Sequence, residues 1–132
     1  MDRLILSIVI LSFSLLCCGC KRERSLPNGY KLTYIESVPA NHYLILDGNN
    51  DCVVPDDVTR IGEYKQLVFG VLDRTKPVPG MAFHDPMNVV PGFFVLDTER
   101  KTLESGLMEN EFLSRMRRLG VNSPKLRNTK RR

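Results

Sequence analysis

Apolar and polar residues alternate along much of this chain with the two-residue period of a half-buried β-strand. Tyr30, Leu32 and Tyr34 are separated by polar residues, which predicts a first strand over about residues 30–36. Six later apolar stretches predict further strands, at 42–46, 52–54, 58–64, 67–72, 93–97 and 102–105. The stretch 67–72 is apolar on both faces, which is typical of a strand in the centre of a sheet.

Three of the predicted strands end in an aspartate, at Asp47, Asp73 and Asp97, with spacings of 26 and 24 residues. This spacing accommodates two strands and two turns. It therefore indicates successive antiparallel hairpins in a meander. We expect each aspartate to begin a turn by accepting hydrogen bonds from the backbone N–H groups that follow it.

The hydrophobic period becomes helical after Gly106, where we expect the sheet to end. Phe112, Met116 and Leu119 lie at i, i+4 and i+7, and they predict a helix from residue 108 or 109 to residue 119. Its apolar face would pack on the sheet. Acidic residues early in the helix and arginines late in it match the helix dipole.

Gly120 follows the helix and suits the left-handed conformation of a Schellman cap, which would place Val121 against Met116. Pro124 prevents the helix from continuing. The whole pattern predicts an α+β fold: an antiparallel β-meander of six or seven strands with one C-terminal helix packed on a face. We assign this domain to residues 30–121.

The N-terminal segment differs from the rest of the chain. A weakly basic start precedes an apolar run of 13 residues, Leu4 to Leu16, interrupted only by serines. A membrane-spanning helix needs about 20 apolar residues, whereas the core of a secretory signal needs about 7 to 15. The run therefore favours an export signal, and an uncleaved N-terminal anchor helix is the alternative.

The run leads into Leu16-Cys17-Cys18-Gly19-Cys20, which resembles a bacterial lipobox. The resemblance implies that residues 1–20 contain a lipoprotein signal peptide, that 19 residues are removed, and that Cys20 becomes the mature N-terminus. Cys20 would then carry diacylglycerol and an acyl chain such as palmitate. Cys17 and Cys18 are alternative acceptors, although neither follows a small residue.

The chain resembles small bacterial lipoproteins of uncharacterised function. The similarity covers about residues 55–121 and includes the stretches 56–62 and 92–98, Gly106-Leu107 and the Glu-x-Glu-Phe helix start at Glu109 to Phe112. It implies a lipid-anchored location in the cell envelope. Lys21, directly after Cys20, implies the outer membrane facing the periplasm. The matching stretches consist of turn and core residues, so the resemblance implies no activity.

Charge is unevenly distributed along the chain. Residues 122–132 contribute +5, residues 21–25 contribute +2 and residues 1–20 are neutral, so the net charge of +4 leaves −3 on residues 26–121. We interpret 21–29 as a tether and 122–132 as a disordered basic tail. This tail would either contact an anionic envelope surface or be solvated without a partner. A folded basic face is missing from this pattern, and this argues against nucleic-acid binding.

Motifs for catalysis or cofactor binding are weak. Asp47, Asn49 and Asp51 have the opening spacing of a calcium loop, but Cys52 and Val58 occupy positions where such a loop has Gly and Glu. His42 and His84 stand 42 residues apart with no zinc-binding spacing. The adjacent pair Asp56-Asp57 suits a turn better than acid–base catalysis. We predict no cofactor, no metal and no enzyme activity.

The segment 74–92 is a long connection with an apolar composition. Loops of this length without secondary structure are usually functional or disordered. Partner-binding candidates in it are Met81, Phe83, His84, Met87 and Val89. Packing of the segment over its own sheet, or disorder, are the alternatives.

The expected function is that of a membrane-tethered envelope lipoprotein that acts as a non-catalytic binding or interaction module, with an envelope protein as partner. The alternative is an immunity or inhibitor lipoprotein that blocks a toxin or lytic enzyme. The negative body of the domain would suit a basic target in that case.

Overall fold

The structure is a computed structural model, and it describes residues 23–35, 42–55, 57–73 and 89–130. Within these ranges the chain forms nine strands, one short 3-10 turn at Pro27–Gly29 and one α-helix. The strands are β1 (Arg24–Ser25), β2 (Lys31–Ile35), β3 (His42–Leu46), β4 (Cys52–Val54), β5 (Val58–Tyr64), β6 (Leu67–Leu72), β7 (Gly92–Asp97), β8 (Thr102–Leu107) and β9 (Arg127–Asn128). The helix α1 spans Glu109–Arg118.

The strands form two antiparallel sheets. One has the order β1-β2-β3-β4, and the other has the order β8-β7-β6-β5-β9. Strands β2 to β8 are the seven strands of the predicted meander, so the predicted α+β fold with one helix is confirmed. The meander is divided between the two sheets because β4 and β5 follow each other in the chain but lie in different sheets.

Strand β6 lies in the centre of the five-stranded sheet, and all six of its residues are buried. Val68 and Leu72 belong to a core cluster shared with Leu32 and Ile45 of the four-stranded sheet. Side chains alternate along a strand, so Leu67 and Phe69 point the other way. They lie in a second cluster together with residues of α1. The five-stranded sheet is therefore the middle of three layers.

Helix α1 covers the outer face of the five-stranded sheet. Phe112 and Met116 are its buried residues, and the Phe112 ring stacks on Phe93 with ring centroids 4.7 Å apart. Arg115 on the helix forms an ion pair with Glu104 of β8, with 2.9 Å between Nε and Oε2. Phe112 and Met116 are thus buried as the sequence predicts, whereas Leu119, the third residue of the predicted stripe, follows the end of the helix and is 40% exposed.

Both ends of α1 are capped by specific hydrogen bonds. At the N-terminus, the Met108 N–H donates to the Glu111 side chain. At the C-terminus, the Val121 N–H donates to the Met116 carbonyl and the Gly120 N–H donates to the Arg117 carbonyl, with Gly120 at φ 89°. These two bonds define the predicted Schellman cap, and Val121 is buried in the same cluster as Met116.

Gly106 does not end the sheet, so that prediction is wrong. Strand β8 continues to Leu107, and its pairing with β7 shifts register between Phe93 and Val95. Gly106 has φ 69°, a conformation that glycine adopts without the steric cost of a Cβ atom. The strand therefore accommodates a bulge at Gly106 and resumes pairing.

The ends of the chain also differ from the expected tether and tail. Arg24–Ser25 pair with β2 and Leu26 is buried, so the folded domain includes much of the segment 21–29. Arg127–Asn128 pair with β5, so the segment 122–132 is not a disordered tail throughout. The physical reason is similar at both ends. Leu26 is buried and Leu126 is partly buried, and strand pairing satisfies the neighbouring backbone groups.

Two methionines at the helix offer a matched test of this packing. Met116→Asp would bury an unpaired charge and is expected to lower the free energy of unfolding by about 3–5 kcal/mol. Met108 occupies the N-cap and is 68% exposed. Met108→Asp supplies a capping oxygen and should raise the free energy of unfolding by about 0.5–1 kcal/mol. Chemical denaturation of both variants checks this, and equal effects would contradict the packing.

Candidate functional site

The carboxylate of Asp57, between β4 and β5, is a buried polar group with two partners. Its Oδ1 accepts a hydrogen bond from the Tyr43 N–H at 3.2 Å, and its backbone carbonyl accepts one from the Asp73 N–H at 3.1 Å. Its Oδ2 lies 2.9 Å from the Lys130 ammonium. Asp57 therefore joins β3, the end of β6 and the C-terminal segment at one end of the sandwich.

The C-terminal segment is held at this point by several further bonds. The Thr129 hydroxyl donates to the Val58 carbonyl at 2.7 Å, and the Thr129 N–H donates to the Thr59 carbonyl at 3.0 Å. Lys130 is 48% exposed, whereas its carboxylate partner Asp57 is almost fully enclosed. The Asp57 side of the ion pair is thus buried, and the Lys130 side is in contact with solvent.

A second polar junction lies at the opposite end of the sandwich. The Asn28 side-chain amide donates to the Thr98 hydroxyl at 2.9 Å, and that hydroxyl donates to the Gln66 carbonyl at 2.5 Å. Thr98 is buried. This chain of bonds connects the N-terminal segment to the β5–β6 and β7–β8 turns, so the two sheets are linked by hydrogen bonds at both ends.

Both junctions connect segments that are distant in sequence. Each oxygen of the Asp57 carboxylate has a partner, and both partners, Tyr43 and Lys130, are distant in sequence. Asp56 lies outside the described residues. The Asp57–Lys130 contact had no sequence signal, because 73 positions separate the two residues and neither belongs to a recognised motif.

The residues with the opening spacing of a calcium loop, Asp47 to Asp51, form a turn. The Asp47 Oδ1 accepts hydrogen bonds from the N–H groups of Asn49 at 2.9 Å and Asp51 at 3.0 Å. The Asp47 carboxylate thus accepts hydrogen bonds from backbone groups of the turn that it begins. Burial raises the pKa of the nearby Tyr30 hydroxyl, and the charge of Asp47 raises that pKa further. Asp97 opens the β7–β8 turn in the same way, as predicted for these aspartates.

The remaining candidate ligands are not brought together in the described part of the chain. His42 lies in β3, and its suggested zinc partner His84 lies outside the described residues. Cys52 is buried in β4 beside Leu44 and Leu46. Among the described residues no group of three His, Cys, Asp or Glu side chains could hold a metal ion.

Only the end of the apolar connection 74–92 can be placed. Met81, Phe83, His84 and Met87 lie outside the described residues. Val89 is half-buried and packs against the core cluster between the two sheets. The Val90 N–H donates to the Ser105 hydroxyl at 3.1 Å, while its side chain is 52% exposed. The connection therefore returns to the domain along β8.

Cys20 and the apolar run before it also lie outside the described residues. In the ranges that can be described, no helix has the length and apolar character needed to cross a membrane. The first described residues, Glu23 and Arg24, already contact the domain through ion pairs with Lys31 and Glu63.

The fold defines a class: an α+β domain in which an antiparallel meander forms two layers and one helix forms the third. No protein-family model, curated protein sequence or solved structure matches the chain. The resemblance to small bacterial lipoproteins therefore stays a prediction.

The Asp57 junction generates a stability test. Asp57→Ala leaves the buried Tyr43 N–H without its acceptor and removes the partner of Lys130, so we expect a loss of about 1–3 kcal/mol in the free energy of unfolding. Asp73→Ala is the matched control, because the Asp73 side chain is exposed and only its backbone contacts Asp57. Urea denaturation of both variants measures the difference. An equally small loss of unfolding free energy in both variants would show that the Asp57 junction contributes little to stability.

Proposed function

We propose that this chain is a lipid-anchored protein of the bacterial cell envelope and that it acts as a non-catalytic binding module. One observation supports this most directly: strand pairing begins at Arg24, four positions after the Cys20 of the lipobox-like motif. An acyl group on Cys20 would therefore sit beside a folded domain. Two or more acyl chains make such an attachment durable, at about 0.8 kcal/mol per buried methylene.

The residue after Cys20 bears on which membrane would hold the anchored domain. In the resemblance to bacterial lipoproteins, Lys21 replaces the aspartate that retains a lipoprotein at the inner membrane. The proposed location is therefore the outer membrane, on the periplasmic side. Here the domain would present its surfaces to other envelope proteins.

The proposed partner surface is the apolar connection 74–92. Val89 and Val90 fix its C-terminal end along β8, at the edge of the five-stranded sheet. Val90 remains half exposed at that edge. The apolar candidates Met81, Phe83 and Met87 precede this end by fewer than ten residues. Desolvated apolar anchors of this kind carry much of the binding energy in protein interfaces.

Lipidation is tested by the mass of the mature N-terminal peptide. Protein extracted from membranes of a bacterial host should begin at Cys20 and carry a diacylglycerol and an acyl chain. Cys20→Ser should retain the unmodified precursor, whereas Cys18→Ser, the matched control, should still be processed. An unmodified Cys20 in the membrane-extracted wild-type protein would contradict the proposal.

Partner binding is tested by substitutions in the connection. Phe83→Ser with Met87→Ser should lower the amount of cross-linked envelope protein at least several-fold, because the apolar anchors are removed. Met108→Ser with Leu119→Ser alters two exposed apolar residues of the helix region and serves as the control. Val89 is left unchanged because it packs on the core.

The melting temperature separates the two explanations for reduced capture. A partner surface loses capture while the melting temperature stays constant, whereas a segment packed on its own sheet loses stability instead. Undiminished capture per folded molecule would contradict the partner surface. Identification of the captured protein as a toxin or lytic enzyme would favour the inhibitor alternative over a general binding module.

A further inference from the structure

The two ends of the described chain meet on strand β5. At the N-terminal end, the Arg24 guanidinium lies 3.1 Å from the Glu63 carboxylate. At the C-terminal end, Arg127 pairs with Ile61, and the Lys125 carbonyl passes so close to Gly62 that a Cβ atom there would lie 2.2 Å from it. The close approach requires glycine at position 62 and positions the C-terminal segment beside the point where the chain enters the domain.

This part of the surface is basic and carries an exposed aromatic ring. Lys65 follows β5 directly, and its ammonium lies 5.4 Å from the centroid of the Tyr64 ring. Tyr64 is 40% exposed. Tyrosine is enriched at membrane interfaces because one part of its side chain is apolar and the other is hydrated. We name this surface the basic edge; it consists of Arg24, Tyr64, Lys65, Lys125 and Arg127.

Two acidic side chains beside the basic edge have cationic partners. Glu63 is paired with Arg24, and Glu23 lies 4.0 Å from the Lys31 ammonium. Lys65, Lys125 and Arg127 are exposed. The edge is therefore positive although residues 26–121 carry a net negative charge.

We infer that the basic edge binds the surface of an anionic membrane. This inference rests on the proposed anchoring of the N-terminus and specifies how the anchored domain lies on the bilayer. Four positions separate Cys20 from Arg24, a reach of at most about 14 Å. An anchor at Cys20 would thus hold Arg24 within about 14 Å of the membrane. This distance is comparable with the screening length of about 8–10 Å at physiological salt.

Each Lys or Arg held near an anionic bilayer strengthens the attachment about fivefold. The exposed cations Lys65, Lys125 and Arg127 at one edge favour a single orientation of the domain. Strand β8 lies at the opposite edge of the five-stranded sheet, four strand spacings or about 19 Å away. In this orientation the end of the connection 74–92, which runs along β8, is directed away from the membrane.

The test uses the full chain, extracted from membranes and reconstituted into lipid vesicles. A donor dye is attached at Asn128→Cys, which is exposed on β9, or at Asn110→Cys, which is exposed in the first turn of α1, next to the end of β8. The acceptor is a dye on the lipid headgroup. Energy transfer is compared between phosphatidylcholine vesicles and vesicles containing about 30% phosphatidylglycerol.

In the anionic vesicles, transfer from Asn128→Cys should increase and transfer from Asn110→Cys should decrease. Both changes should be lost as the salt concentration rises from about 0.05 M to about 0.5 M. Lys125→Gln with Arg127→Gln should lower the ratio of docked to undocked molecules about 25-fold, from two factors of about five. Arg100→Gln with Lys101→Gln removes the same charge in the β7–β8 turn, and this control should behave like the wild type.

Transfer that is the same in both kinds of vesicle would overturn the inference, as would an equal loss in the control variant. The measurement does not depend on acylation, because an uncleaved apolar run would also hold the N-terminus at the vesicle. An unmodified Cys20 with lipid-dependent transfer would therefore contradict the lipid anchor alone. A modified Cys20 with transfer independent of lipid charge would contradict the basic edge alone.

Discussion

The architecture depends on the burial of β6 from both sides. Each of its residues is buried, and each fully buried apolar side chain contributes about 1.5–3 kcal/mol relative to exposure. A strand of this kind is stable only when a layer covers each face of its sheet. Here the four-stranded sheet covers Val68 and Leu72, and α1 with the C-terminal segment covers Leu67 and Phe69. The division of one meander into two sheets follows from this requirement.

The same requirement explains why the chain ends are part of the fold. Helix α1 buries only Phe112 and Met116. Val121 and Leu126, which follow the helix, pack with the same cluster and extend the cover toward β5. Pairing of β9 with β5 and the bond from Lys130 to Asp57 then fix the basic segment in place. The described part of this segment, which carries Lys125, Arg127 and Lys130, thus packs on the domain through a few apolar residues.

The sequence was most informative where one periodicity extends over several residues. The seven longer strands, the helix and its Gly120 cap could be predicted because alternation, a helical stripe and a left-handed glycine are local signals. Strands β1 and β9 have two residues each, too few for a period to be visible. The bulge at Gly106 and the bonds of Asp57 depend on partners distant in sequence. Of the candidate site residues, only Val89 can be placed, and it packs on the core.

The positions of the two ends relative to the sheet connect the fold to the proposed function. The described chain begins at one side of the five-stranded sheet, where Arg24 contacts Glu63 of β5. The connection 74–92 ends at the other side, where Val90 contacts β8. The order β8-β7-β6-β5-β9 keeps these sites apart by the full width of the sheet. An anchor near Arg24 would therefore leave the β8 edge accessible to a partner, because the rigid sheet, rather than a long linker, supplies the distance from the membrane.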